Sequence, residues 1–151
     1  MVSTANQDID YKNNFFEFSE LTRIHGEPET SMLLTLHNEV WANTQSMHTT
    51  LGGGANGNLG LVCDAATYAS IPETVPYIKP TNPAILDTPQ NATQYQIAQL
   101  RQKYQEELRA FREVMAVERA LVQQIVSAIE PKFLKAIRNI ITNKIIKIYQ
   151  K

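Results

Sequence analysis

The residues best suited to chemistry are a glycine-rich run, one cysteine and three histidines. Glycines stand at positions 52, 53, 54, 57 and 60, and Gly52–Gly57 has the G-x-G-x-x-G form of a dinucleotide-binding loop. That motif needs a strand before it, a helix after it and an acidic residue about 20 positions further on. A helical pattern precedes this run instead, and Asn58-Leu59 stands where a phosphate loop has Lys-Ser/Thr. We therefore expect a loop that turns the chain, with no nucleotide site.

The single cysteine excludes an intramolecular disulfide. A nucleophilic cysteine needs a nearby base and an electropositive setting, whereas Cys63 follows the apolar pair Leu61-Val62, which favours a small buried thiol. His25, His37 and His48 are not at the spacing of metal ligands on a helix, and the chain has no CxxC motif. The sequence predicts no enzyme, no metal, no cofactor and no small-molecule substrate.

Charge is distributed unevenly along the chain. The formal net charge is −1, but residues 1–90 carry three basic and ten acidic side chains, and residues 91–151 carry eleven basic and five acidic ones. Such asymmetry indicates either a basic end that meets an anion or two halves that attract each other. No apolar run approaches the roughly 18 residues of a membrane span, and the polar N-terminus is unlike a secretory signal. We expect a cytoplasmic protein without a membrane span.

Hydrophobic periodicity predicts an all-α fold in four segments. Residues 1–18 form a flexible arm whose phenylalanines could dock on the body or on a second copy. Residues 19–70 form a small N-terminal helical unit with the Gly-rich loop. Residues 71–92 carry five prolines and form an extended, partly polyproline connector. Residues 93–151 form a helical hairpin or helix pair.

Within the N-terminal unit, Ser19 is placed to cap a short helix that ends near Gly26. A second helix begins at Thr30 and fades near Asn43. Asp64 is placed to cap one further helical turn. The apolar face of the second helix consists of Leu33, Leu36 and Val40.

The strongest element begins at Thr93, where Thr93 and Gln96 match a capping box. A helix over 93–129 would be about 55 Å long, so we expect it to bend or to reach a partner. Additional apolar residues after Val114 predict that its second half is the more deeply buried. Glu107 and Glu118 fall on the would-be seam and exclude a strict heptad. The residues with least chain left to cover them are predicted to meet either another copy or the N-terminal arm. These predicted self-association residues are Leu100, Tyr104, Leu108 and Phe111.

Pro131 begins a basic terminal helix with an isoleucine-rich apolar face. Its cations permit three interpretations: a solvated face, contact with nucleic-acid phosphates, or contact with a membrane surface. Few aromatic residues accompany them, so any RNA contact would not depend on sequence. The predicted RNA-contact residues are Lys132, Lys135, Arg138, Lys144, Lys147 and Lys151.

A set of ordered strings resembles a known family. The strings are Glu20–Pro28, Ser31–Glu39, Thr50–Val62, Phe111–Glu118, Gln123–Val126 and Leu134–Asn139. Together they resemble the N-terminal Gag-like segment of copia-type LTR retrotransposon polyproteins. The resemblance implies an all-α, capsid-like structural segment that assembles into particles and packages RNA.

The chain departs from that family pattern in several places. Asn56 and Asn58 stand where histidines are expected, and Ile140–Lys144 replaces a polar run. Asp87-Thr88-Pro89 differs from a retroelement protease motif, and no cysteine/histidine zinc knuckle is present. We therefore expect a fragment or a degenerate copy of such a segment.

Two functions follow as hypotheses. The first is a Gag-like, self-associating structural protein, a homo-oligomer with weak, sequence-independent RNA contact. The alternative is a helical adaptor that docks a partner through its long amphipathic helix.

Overall fold

The computed structural model describes residues 10–51 and 54–134, and the fold is all-α. Within these ranges there is no β-strand. One isolated parallel β-bridge joins Ile24 and Ile129. Residues 131–134 are again helical; the rest of the predicted terminal helix lies outside the described residues. The elements are α1 (Tyr11–Asn14), α2 (Thr30–Gln45), a 3₁₀ helix (Gly54–Leu61), α3 (Ala65–Ala69) and α4 (Gln94–Ala128).

Short-range hydrogen bonds set several of the helix starts. The Asp64 carboxylate accepts a hydrogen bond from the Thr67 N–H at 2.6 Å and caps α3, as predicted. At α4 the predicted capping box is confirmed: the Gln96 N–H donates to Thr93 Oγ1, and the Thr93 N–H donates to Gln96 Oε1.

One hydrophobic core gathers residues from most of the described chain. The second half of α4 supplies a core stripe consisting of Val114, Val117, Leu121, Ile125 and Ala128, whereas the first half contributes no buried residue. This confirms that burial deepens after Val114. From the N-terminal arm, Tyr11 and Phe16 enter the same core, while Phe15 and Phe18 stay largely exposed. The remaining core residues are Leu21, Ile24, Leu36, Val40, Met47, Leu59, Leu61, Val62, Cys63, Tyr68 and Ile129.

The short helix predicted from Ser19 to Gly26 is wrong. Residues 15–26, the extended segment, run between α2 and α4 without a helical turn after Phe15. Their amides are bonded elsewhere: the Thr22 N–H donates to Glu39 at 2.7 Å, and the Ile24 N–H donates to the Ala128 carbonyl at 2.7 Å. In a helix capped by Ser19, the Thr22 N–H would bond the Ser19 hydroxyl and the Ile24 N–H would bond the Glu20 carbonyl. Tertiary hydrogen bonding therefore overrides the local capping signal.

Two buried amides anchor this extended segment. Asn43, on α2, accepts from the Phe18 N–H at 2.8 Å and donates to the Phe18 carbonyl at 3.0 Å. It also donates to Gln124 Oε1 at 2.9 Å, and Gln124 in turn donates to the carbonyls of Phe18 and Ser19 at 2.9 Å. Asn43 is 0% exposed and Gln124 is 5% exposed. One side-chain network thus joins α2, the extended segment and α4.

The glycine run, predicted to be a loop that turns the chain, is largely helical. Gly54–Leu61 forms a 3₁₀ helix in which Asn58 and Leu59 are buried. The Asn58 amide donates to the Met47 carbonyl at 3.2 Å, and Leu59 belongs to the core. These contacts compensate for the conformational entropy that glycine loses. At Gly60 the absence of a side chain matters most, because a Cβ there would overlap the ring of Tyr77.

Between turns at its two ends, the connector (residues 71–92) contains no helix and is mainly extended, as predicted, with left-handed φ angles at Glu73 and Ala84. From Ile71 to Leu86 every third residue is half-buried, the period of a polyproline helix with three residues per turn. It runs antiparallel to α4: Lys79 pairs with Glu118 at 2.8 Å. Further along, the Tyr104 hydroxyl donates to the Ala84 carbonyl at 2.9 Å. The connector therefore lies along one side of the long helix.

The contact between Gly60 and Tyr77 gives a prediction about stability. Gly60→Ala should lower the free energy of unfolding by about 1–3 kcal/mol, the usual cost of overpacking. Denaturant unfolding followed by circular dichroism measures this. In a Tyr77→Ala background the same change should cost clearly less, because the ring it strikes is gone. An equal cost in both backgrounds would contradict the assigned contact.

Candidate self-association surface

The four predicted self-association residues, Leu100, Tyr104, Leu108 and Phe111, lie on the first half of α4 and are all half-buried. Among the described residues, none of the four belongs to the core or to the partly buried residues that pack against it. The structure therefore places them together on one helix and outside the packed interior.

The same face continues along almost the whole of α4. At about 100° per residue, Ile97, Met115, Val122 and Val126 align with the four predicted residues. These eight residues form the outer stripe, which is about 44 Å long. Met115 is 37% exposed and Val126 is 41% exposed, although both lie beside the core half of the helix. The outer stripe is centred about 100° from the core stripe around the helix axis.

The connector covers one edge of the outer stripe. Its Ala84 carbonyl accepts the Tyr104 hydroxyl, and an open groove between connector and helix is lined by Pro89, Leu100 and Lys103. The connector thus shields part of Leu100 and Tyr104 from solvent. The sequence pattern did not indicate this contact. The connector also directs apolar side chains outward, with Ile78 and Ile85 more than four-fifths exposed.

Only one of the predicted RNA-contact residues lies within the described chain. The Lys132 side chain is 71% exposed, its Nζ is 3.9 Å from a Glu130 carboxylate oxygen, and it stands 4.9 Å from the centre of the Phe133 ring. Outside the described residues lie Lys135, Arg138, Lys144, Lys147 and Lys151.

The one thiol in the chain, that of Cys63, is buried. It donates to the Leu59 carbonyl at 2.9 Å. Burial, and to a lesser degree the Asp64 carboxylate, raises the pKa of the Cys63 thiol to about 11. The thiol is therefore protonated near neutral pH. Over residues 10–51 and 54–134 no group of three His, Cys, Asp or Glu side chains is arranged to hold a metal ion.

Sequence reasoning missed the buried polar residues that hold the extended segment. Glu39 and Asn43 lie four residues apart beside Leu36 and Val40 on α2, and Gln124 lies beside Ile125 on α4. Glu39 accepts hydrogen bonds from both the N–H and the hydroxyl of Thr22. The available signal was a polar side chain on an otherwise apolar helix face, which requires a buried partner.

Within the described parts of the chain, no helix combines the length and apolar character needed to cross a membrane. Comparison with family models, with curated proteins and with solved structures gave no match to this chain.

The buried thiol gives a prediction about reactivity. At pH 8 the native protein should react with an aromatic disulfide reagent at least about a hundredfold more slowly than the denatured chain, because the thiolate is the nucleophile. Absorbance of the released thiol measures both rates. A native rate close to the denatured rate would contradict the buried, protonated thiol.

The raised pKa of the Cys63 thiol determines how stability changes with pH. The folded pKa is raised above the ordinary value of 9.0, so the folded state holds the proton longer than the unfolded state. Stability from this group is fully present below about pH 9 and falls as pH rises toward 11. Burial also raises the tyrosine pKa values of Tyr68 and Tyr77. A Cys63→Ala control should therefore show a shallower alkaline decline, not a flat profile.

Proposed function

We propose that this protein is a structural, self-associating protein of the Gag-like kind, and that the outer stripe of α4 is its assembly surface. The observation that carries the proposal is the outer stripe itself: a continuous apolar face on a 35-residue helix whose core contacts are made by a different face. The sequence resemblance to Gag-like segments supports the same class, with the cytoplasm as the implied compartment.

The outer stripe is an apolar surface that does not pack into the core of the described residues. Isolated exposed hydrophobic residues are ordinary on a protein surface, whereas a contiguous apolar face marks an interaction site. Fully burying an exposed leucine side chain contributes about 1.5–3 kcal/mol, and the half-buried residues of the outer stripe would gain part of that on assembly. The outer stripe repeats such residues for about 44 Å, which is enough to favour association of two copies.

A helical adaptor would use the same surface for a different partner. The two proposals differ in the mass of the pure protein: an assembling protein gains mass with concentration, whereas an adaptor stays monomeric until its partner is added. A dilution series from micromolar to nanomolar, followed by light scattering or mass photometry, separates them.

RNA contact is a second part of the proposal. The segment from 131 to 151 carries six cations and no acidic residue, and the described Lys132 is exposed. Without aromatic platforms, contact would be made to phosphates alone and would be weak.

Leu108→Glu tests the assembly surface. The substitution puts a charge at the middle of the outer stripe, so it should weaken association by at least about tenfold. Sedimentation velocity over a concentration series measures the change. Leu34→Glu is the matched control, because Leu34 is 60% exposed on α2 and away from the outer stripe. Equal behaviour of Leu108→Glu and wild type would contradict the proposal.

Salt dependence tests the RNA contact. If four to six phosphates are neutralised, the logarithm of affinity for single-stranded RNA should fall against the logarithm of salt with a slope of roughly −3 to −4. Substituting Lys132, Lys135 and Lys147 by Gln should flatten that slope by about two. Anionic vesicles assayed in parallel separate a membrane surface from RNA. Absence of binding at low salt, or an unchanged slope in the triple variant, would refute RNA contact.

A further inference from the structure

Residues 78–90 of the connector, the strap, are held on α4 by few contacts. Within the described chain two polar contacts join the strap to α4. They are the Lys79–Glu118 ion pair at 2.8 Å and the hydrogen bond from the Tyr104 hydroxyl to the Ala84 carbonyl at 2.9 Å. The Lys79 side chain is 42% exposed, and water competes for an ion pair or hydrogen bond at the surface. These contacts therefore hold the strap weakly.

The strap also gains little from apolar packing. Its largest outward side chains, Ile78 and Ile85, are more than four-fifths exposed, and its inward residues Pro80, Pro83 and Leu86 are only half-buried. Ala84, whose carbonyl meets Tyr104, has a φ of +62°, a left-handed conformation that L residues rarely adopt. A segment with few buried contacts and an unfavourable backbone conformation opens more easily than the core.

Both ends of the strap are fixed, and the chain between them has slack. Before the strap, the Tyr77 ring packs edge-on against Tyr68 with ring centroids 5.7 Å apart. After the strap, Thr93 caps α4. The chain from Tyr77 to Thr93 can span about 53 Å when extended, whereas α4 rises only about 37 Å from Thr93 to Glu118. The strap can therefore leave α4 while both of its ends stay in place.

The docked strap lies where a second helix would pack on the outer stripe. Its contacts on α4, at Leu100, Tyr104 and Glu118, are centred about 35° around the helix from the middle of the stripe. Two packed helices have axes about 8–10 Å apart. At that distance from α4, a strap and a helix separated by 35° would lie roughly 5–6 Å from each other, which is within the side-chain radius of the helix. The two positions overlap.

We propose that the strap is a releasable cover of the outer stripe. Docked on α4, it opposes the pairing of two copies, and its release opens Leu100 and Tyr104 to a second copy. This inference rests on the proposed function and names how the same surface is regulated. Occupation of α4 by the strap reduces the fraction of chains that are competent to associate, and the apparent affinity falls with that fraction.

Reversing the charge of Lys79 tests release. Lys79→Glu places a carboxylate beside Glu118, so it should loosen the strap and strengthen self-association by about three- to thirtyfold. Sedimentation velocity over a concentration series measures the change. Adding Glu118→Lys restores an ion pair of opposite sense and should return association to within about threefold of wild type. Adding Leu108→Glu instead should abolish the gain, because that gain depends on the outer stripe.

Arg23→Glu is the matched control for the change in net charge. Arg23 is exposed on the extended segment, away from the strap, and the same reversal there should leave association unchanged. Circular dichroism of every variant checks that the fold is retained.

Bridging the strap to α4 tests the opposite direction. In a protein carrying Lys79→Cys and Glu118→Cys, a short bismaleimide links the two positions, and native Cys63 is buried. The bridged monomer should associate at least about tenfold more weakly than wild type, because the strap can no longer leave. The same protein treated with N-ethylmaleimide has lost the ion pair without gaining a bridge, so it should associate at least as strongly as wild type.

The outcomes separate this inference from the proposed function. Wild type and Lys79→Glu that both stay monomeric refute the proposed function and this inference with it. Association that is unchanged by Lys79→Glu or by the bridge overturns the strap and leaves self-association standing. Weaker association of Lys79→Glu overturns it as well, since the connector would then belong to the interface. A gain on loosening that needs Leu108, together with a loss on bridging, supports the strap.

Discussion

The amide network of Asn43 and Gln124 determines how the described elements come together. These two side chains come from α2 and α4, and between them they bond the backbone of Phe18 on both its N–H and its carbonyl. A buried amide without partners costs about 1–3 kcal/mol, so the two helices and the extended segment must be positioned together. The Thr22–Glu39 and Ile24–Ala128 bonds continue the same arrangement toward the end of α4.

With the extended segment held in place, one face of α4 packs into the interior. That face is used from Val114 to Ala128, where α2, the 3₁₀ helix and the extended segment supply the opposing core residues. Among the described residues, the connector lies beside the first half of α4. The C-terminal half of α4 thus packs against the core, whereas its N-terminal half lies outside the core. This is why α4 has a core stripe and a separate outer stripe.

The outer stripe on α4 is the basis of the proposed structural role. The one thiol, that of Cys63, is buried, and burial raises its pKa. The outer stripe is linear, and the connector lies along one of its edges through the Lys79–Glu118 ion pair and the Tyr104–Ala84 hydrogen bond. A linear apolar surface of this kind suits another helix as its partner.

Short-range signals in the sequence determined part of this structure. The capping box at Thr93, the Asp64 cap, the proline-rich connector and the deeper burial after Val114 all follow from neighbours in the chain, because capping, φ restriction and helical periodicity act over a few residues. Leu100, Tyr104, Leu108 and Phe111, predicted from the sequence to associate with another copy or the N-terminal arm, lie outside the core of the described residues. Tertiary structure decided the rest. Residues 19–26 match a helix locally, but their amides bond to residues more than fifteen positions away. The glycine run becomes helical only because Leu59 and Asn58 are buried, and Gly60 is required only because Tyr77 packs upon it. These partners are distant in the chain, so the sequence pattern of any one segment does not indicate them.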